Sequence, residues 1–176
     1  MTNDTQVHIE SSDLTFEAVA AQTTSDVALR SSLAEADVIF LPLKPVRGFE
    51  GEVFTGVLAD LYRFVQTEGQ TLRVEVASES DEPAELILHG EFLDLGRFLV
   101  LQAAAPLLIG ILANYVWSKL GSNTRKRQTA RVRCEITTQS PDGSSRTARY
   151  EGPADTFEKT VREIAAHPPT GGSQNT

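Results

Sequence analysis

The sequence predicts an α+β fold, a mixed sheet with helices packed on it in the rough order βαβαββαββα, with a doubly wound α/β sheet as the alternative. Three observations carry this. Leu72, Val74 and Val76, and again Ala130, Val132, Cys134 and Ile136, alternate with charged residues, the period of a half-buried strand. Val53, Val57, Leu61 and Phe64, and again Ala154, Phe157, Val161 and Ile164, recur at helical spacing. Pro141-Asp142-Gly143 separates two strand-like stretches, where proline presets φ and glycine tolerates a positive one.

The elements follow in order. Val7 and Ile9 alternate with His8 and Glu10, a short strand. Residues 14–22 fit a helix or a strand. Thr24 or Ser25 can cap a helix to about residue 36 that buries Leu29, Leu33 and Ala36. Residues 38–43, VIFLPL, are a continuous apolar run and predict a buried strand whose Pro42 sets its end near an edge. After the loop 44–52, the stripe from Val53 predicts a helix stopped at Glu68-Gly69. Strands at 72–76 and 86–88 flank an acidic turn. One long apolar helix is expected over 97–120, opened near Asp94 and closed by Gly121. A strand at 130–136, the turn, a strand at 146–151 and a helix opened by Gly152-Pro153 complete the chain. The expected organisation is a single domain over 6–165, with loose ends at 1–5 and 166–176. It divides into an acidic half (6–96), the apolar helix (97–120) and a basic hairpin and helix (125–165).

Net charge is −8, but residues 1–96 hold 18 acids and 5 bases while residues 97–176 hold 6 acids and 11 bases. That split predicts an intramolecular charge match or a separate partner for the basic half. The single cysteine, Cys134, excludes an internal disulfide framework and a cysteine-based zinc site. Residues 1–6 lack the basic-then-apolar pattern of a targeting signal, so the expected compartment is the cytoplasm.

Residues 98–118, FLVLQAAAPLLIGILANYVWS, carry no formal charge over 21 positions. A run of about 18 or more such residues is long enough to span a bilayer. Tyr115 and Trp117 sit where an interfacial belt would be, and the basic flank after them would leave the C-terminus cytoplasmic at an inner membrane. The competing expectation is a buried core helix. Gln102, Pro106 and Asn114 interrupt the run, and Gly110, Asn114 and Ser118 form one slightly polar line. A span would also carry the acidic half across the membrane without a signal. The residues at stake are Phe98, Leu101, Leu108, Ile111, Tyr115 and Trp117.

Motifs for chemistry are sparse. No G-x-S-x-G elbow, HExxH, EF-hand, Walker or G-x-G-x-x-G pattern is present. Cys134 lies on the apolar side of its strand, a packing position. His89 with Glu91 could move a proton or hold a metal, but two residues at that spacing are a weak signal and a solvated strand end is the ordinary explanation. The loop 44–51 places Lys44 and Arg47 before an expected helix, where an anion could sit, but Glu50 and Glu52 oppose it. Glu79, Asp81, Glu82 and Glu85 read as a charged hairpin tip. No catalytic, cofactor or metal residue is assigned, and no cofactor is expected.

The basic group is the clearest surface feature. Lys119, Arg125, Lys126, Arg127, Arg131 and Arg133 fall within 15 residues, and Arg146 or Arg149 can join them from the returning strand. The group has no interleaved aromatic residues for base stacking, and the protein as a whole is acidic. A solvated face or a protein partner is therefore expected before nucleic acid. Nothing in the residues fixes an oligomeric state.

From the apolar helix onward, the chain runs helix, strand TARVRCEITT, turn SPDGSS, strand RTARYEG and helix PADTFEKTVREI. With its D-G turn and Y-x-G-P entry to the last helix, this half resembles the small effector-associated adaptor components of bacterial conflict and signalling systems. The resemblance implies a non-enzymatic adaptor that couples a sensor to an effector. The residue-level expectation is accordingly a non-catalytic protein-interaction domain. Membrane association through residues 98–118 is the alternative, and a small hydrolytic or anion-binding enzyme the second.

Overall fold

A computed structural model describes residues 4–87 and 92–166. The elements are β1 (Gln6–Ser12), α1 (Phe16–Thr23), α2 (Val27–Ala34), β2 (Val38–Leu41), β3 (Val53–Thr55), α3 (Leu58–Glu68), β4 (Val74–Val76), β5 (Ala84–Leu86), β6 (Phe92–Leu101), α4 (Ala105–Leu120), α5 (Thr124–Thr129), β7 (Arg131–Gln139), β8 (Ser145–Pro153) and α6 (Ala154–Ala166). Six strands form one mixed sheet in the order β1-β8-β7-β6-β2-β4, and β3 pairs β5 in a small parallel ribbon. The α+β expectation holds.

Two cores sandwich the middle of the sheet. Val38 and Phe40 of β2, Phe98 and Val100 of β6, and Val132, Cys134 and Ile136 of β7 pack with α3, α4 and α6. Ile39 and Leu41 of β2 and Leu99 of β6 pack on the opposite face with α1 and α2. A strand covered on both faces has no polar side, which is why residues 38–41 read as an unbroken apolar run.

The same physics corrects the largest sequence expectation. Residues 97–120 are not one helix. Phe98 and Leu101 belong to β6, and the chain turns at 102–104 before α4 begins at Ala105 with Pro106 in its first turn. A doubly covered strand and a nearly all-apolar helix simply abut, and together they imitate one long segment. Leu108, Ile111 and Tyr115 are buried in the first core and Trp117 is half-buried. Of the slightly polar line, Asn114 and Ser118 are exposed, while Gly110 is half-buried beside Arg162 of α6. Among the described residues, no helix is long and apolar enough to cross a membrane.

Smaller corrections follow. Val53 is in β3, and the helix starts only at Leu58, where Glu85 of β5 accepts from the Ala59 N–H at 3.0 Å. Asp26, not Thr24 or Ser25, caps α2 by accepting from the Leu29 N–H at 2.9 Å. Residues 14–22 resolve as α1, capped by Thr15. Pro153 ends β8 instead of opening α6. The short helix α5, capped by Asn123, was not expected. The expected strand at 86–88 is β5, shifted toward the acidic turn; Leu88 falls outside the described residues, as do His89, Glu91 and the tail from His167.

Candidate functional site

Toward β1 the sheet loses one of its two covers. Val132, Cys134 and Ile136 point into the first core, so their neighbours on β7 point the other way, and α1 and α2 leave much of that face open. The register then lines up charge across four strands. Arg97 on β6 stands opposite Glu135 on β7, Glu135 opposite Arg149 on β8, and Arg149 opposite His8 on β1. In the next row Asp94 stands opposite Arg133, Arg133 opposite Glu151, and Glu151 opposite Gln6.

Directly opposed side chains on one face lie close enough to pair. Arg97 Nε donates to Glu135 Oε1 at 2.9 Å, and Arg149 Nε donates to Glu135 Oε2 at 2.7 Å. Arg149 Nη2 also reaches Glu10 Oε1 at 2.6 Å, and Lys44 Nζ lies 3.9 Å from Glu135 Oε2. Arg133 Nε donates to Glu151 Oε2 at 3.1 Å. Beneath this ladder the Phe92 ring carries both Arg133 and Arg131, their guanidinium carbons 4.7 and 5.3 Å from its centroid. A groove of about 650 Å³ runs along the ladder, with Lys44 and Leu43 on one wall and Gln6 and His8 on the other.

A bulge sets this geometry. The β6–β7 register shifts between Asp94 and Arg97, and Gly96 takes φ +94° while its N–H donates to Asp94 Oδ1 at 2.9 Å. The extra residue turns Leu95 into the core and brings Arg97 level with Glu135. Burial pushes the Asp94 carboxyl above its ordinary value, against the pull of the Gly96 N–H and Arg133. For Glu135, burial also pushes upward, but the hydrogen bonds from Arg149 and Arg97 outweigh it and hold the carboxyl below its usual value. Burial, with Asp94 and Glu135 nearby, raises the Cys134 thiol well above its ordinary range, so the cysteine is an inert core residue, as its strand position predicted.

The expected basic group divides among three settings. Lys119 closes α4, ion-paired with Asp60 and 5.2 Å from the Tyr115 ring centroid. On α5, Arg127 lies 4.9 Å over the Trp117 ring and donates to the Gly121 carbonyl, while Arg125 and Lys126 are exposed and form no ion pair among the described residues. Only Arg131 and Arg133 reach the open face, joined there by Arg149; Arg146 turns to the Ile164 carbonyl. Four of the basic side chains lie near rings from outside the run: Arg131 and Arg133 on Phe92, Lys119 by Tyr115 and Arg127 on Trp117. The halves of the chain meet through Asp60–Lys119 and Glu10–Arg149.

Other candidates take structural roles. The loop 44–51 leads into β3, not a helix, so no helix N-terminus follows it. Glu79 accepts from Thr24 Oγ1 at 2.6 Å, and Glu85 serves α3. No group of three or more histidine, cysteine or carboxylate side chains is placed to hold a metal ion among the described residues. Reasoning from sequence missed Lys44, Asp94, Arg97 and Glu135 as members of the site. Arg97 was hidden inside the misassigned helix, and Glu135 looked like a lone acid ending a basic run. The chain matches no family model, and no curated protein or solved structure matches it either.

Proposed function

We propose that this chain is a non-catalytic, cytoplasmic binding domain that docks a protein partner on the open face of its sheet, the adaptor role that the resemblance of its C-terminal half implies. The observation that supports it most is Glu135, held between Arg97 and Arg149 on a solvent-facing sheet. Charged groups already fixed by their neighbours lose little freedom on binding, and their alternation favours a partner with the complementary pattern. Lys44, Arg97, Arg131, Arg133 and Arg149 are interleaved with Glu10, Asp94, Glu135 and Glu151, so a uniformly anionic polymer would meet carboxylates at every step. A polypeptide carrying both signs of charge fits better.

The test is affinity capture of the full-length protein from its native cells, beside an Arg131→Glu/Arg133→Glu variant whose circular dichroism matches the wild type. The reading expects a protein that the wild type retains and the variant loses. Retention of every captured protein by the variant, or capture dominated by nucleic acid, overturns it.

A further inference from the structure

The outer edge of β1 is the least protected part of the sheet. Strand edges invite pairing with another strand, and proteins usually blunt them with proline, lysine, a bulge or brevity. The opposite edge, β4, has three residues. β1 has seven, QVHIESS, with no proline, lysine or register shift, and six of the seven are exposed. Among the described residues nothing pairs with its outer side. Val7 and Ile9 are 40% and 45% exposed, although they share a sheet face with Tyr150 and Ala148, to which they are paired.

We propose that a second copy of this chain covers this edge, with β1 pairing antiparallel to β1 about a two-fold axis at Ile9. The strand runs from Gln6 to Ser12, so Ile9 is its midpoint, and this register alone uses its whole length. It sets Ile9 on Ile9 of the second copy, Val7 on Ser11, and Gln6 on Ser12. It also sets His8 on Glu10, twice, by symmetry. The sequence is therefore complementary to itself in the way an isologous interface requires. A register centred on His8 would oppose histidine to histidine and leave Ser11 and Ser12 unpaired. The pairing would join two six-stranded sheets into one of twelve strands. The row Arg97, Glu135, Arg149, His8 would then continue onto Glu10 of the second copy. This inference does not rest on the docking reading above, because it is carried by the unpaired backbone edge of β1, although His8 and Glu10 also border the open face.

An edge pairing of this size lies at the small end of specific interfaces, below about 1,200 Å² in total, so the dimer dissociates on dilution. Light scattering on the full chain from low to high micromolar concentration should show a mass rising from 19.2 kDa toward twice that value. Ile9→Lys should shift the midpoint by roughly tenfold or more. The register has its own test, because Cys134 is buried and will not compete. Directly opposed residues meet the Cα separation a disulfide needs, about 4.4–6.8 Å. Ile9→Cys should therefore cross-link under mild oxidation. Val7→Cys alone should not, since its copies lie about 13 Å apart along the strand, whereas the Val7→Cys/Ser11→Cys double variant should. A mass fixed at 19.2 kDa at every concentration, with no Ile9→Cys cross-link, overturns the dimer. Cross-linking by Val7→Cys alone overturns the register.

Discussion

Arg149 donates to Glu135 across a directly opposed β8–β7 pair, Nε to Oε2, at 2.7 Å. Glu135 is only 12% exposed, and Arg97 holds its other oxygen. This carboxylate therefore ties the β7–β8 hairpin to β6, a strand about thirty residues earlier in the chain. Its effect on stability is measurable in two ways.

Hydrogen bonds to charged groups contribute about 1.5–3 kcal/mol each. Glu135→Gln keeps the shape but leaves the Arg97 guanidinium without its anion and Arg149 with Glu10 alone, so it should cost about 2–3 kcal/mol in urea unfolding. The folded carboxyl titrates below its unfolded value of about 4.5, so its contribution is complete above that pH and disappears as the pH falls through the folded value. Asp60 is also held below its ordinary value, by the hydrogen bonds from Lys119 and Tyr115, and contributes to the acid dependence of both proteins. The informative quantity is thus the difference between wild type and Glu135→Gln. That difference should be largest near neutral pH and shrink as the solution is acidified below 4.5. A difference independent of pH rules out the charge as its source.

In the next row on the same face as the ladder, Thr137 and Thr147 face each other with their hydroxyl oxygens 2.7 Å apart, and both are buried. Replacing one by valine strands the other hydroxyl without a partner, which costs about 1–3 kcal/mol. Replacing both removes the need. Thr137→Val and Thr147→Val should each destabilise, and the double variant should lie close to the wild type. Additive losses in a double-mutant cycle contradict the pairing.

Much of the fold was legible where a strand or helix has one wet face. Val132, Cys134 and Ile136 alternate with Arg131, Arg133 and Glu135 because the first set is core and the second is not. The hairpin turn, with Gly143 at φ +86°, and the α6 stripe were legible for the same kind of reason. The errors lie where both faces are dry. β6 buries Phe98 and Val100 in one core and Leu99 in the other, and no period survives. Its bulge added a further obstacle, since Arg97 joins Glu135 only through a register shift at Gly96 that no local pattern announces. The six basic residues were legible as a group in sequence but not in space, because α5 and the start of β7 point their side chains apart.

The bulge itself can be tested at Gly96. Its φ of +94° is a conformation that other residues rarely adopt, and a Cβ there would lie 3.2 Å from Thr55 Cγ2. Gly96→Ala should lose about 1–3 kcal/mol of stability. Gly96→Val, bulkier and β-branched, should lose more, while Gly121→Ala, whose Cβ would meet nothing within 4 Å, tests backbone strain alone. If Gly96→Ala and Gly121→Ala prove equal, the Thr55 contact contributes nothing.

The division of residues 98–118 into strand and helix makes adjacent leucines unequal. Leu108 is fully buried in the first core, whereas Leu107 is 44% exposed in the first turn of α4. An aspartate at 108 would be a buried charge with no partner, so Leu108→Asp should prevent folding. At 107 the new carboxylate would meet water and the positive end of the helix, and Leu107→Asp should change stability by no more than about 0.5 kcal/mol. In a lipid-embedded helix both substitutions would place a charge in hydrocarbon and both would be costly, by about 2.5–3.5 kcal/mol near the bilayer centre. The comparison is made on detergent-free protein by urea unfolding. A folded Leu107→Asp variant beside an unfolded Leu108→Asp variant is the signature of a helix whose buried side is protein core. Equal damage from both contradicts it.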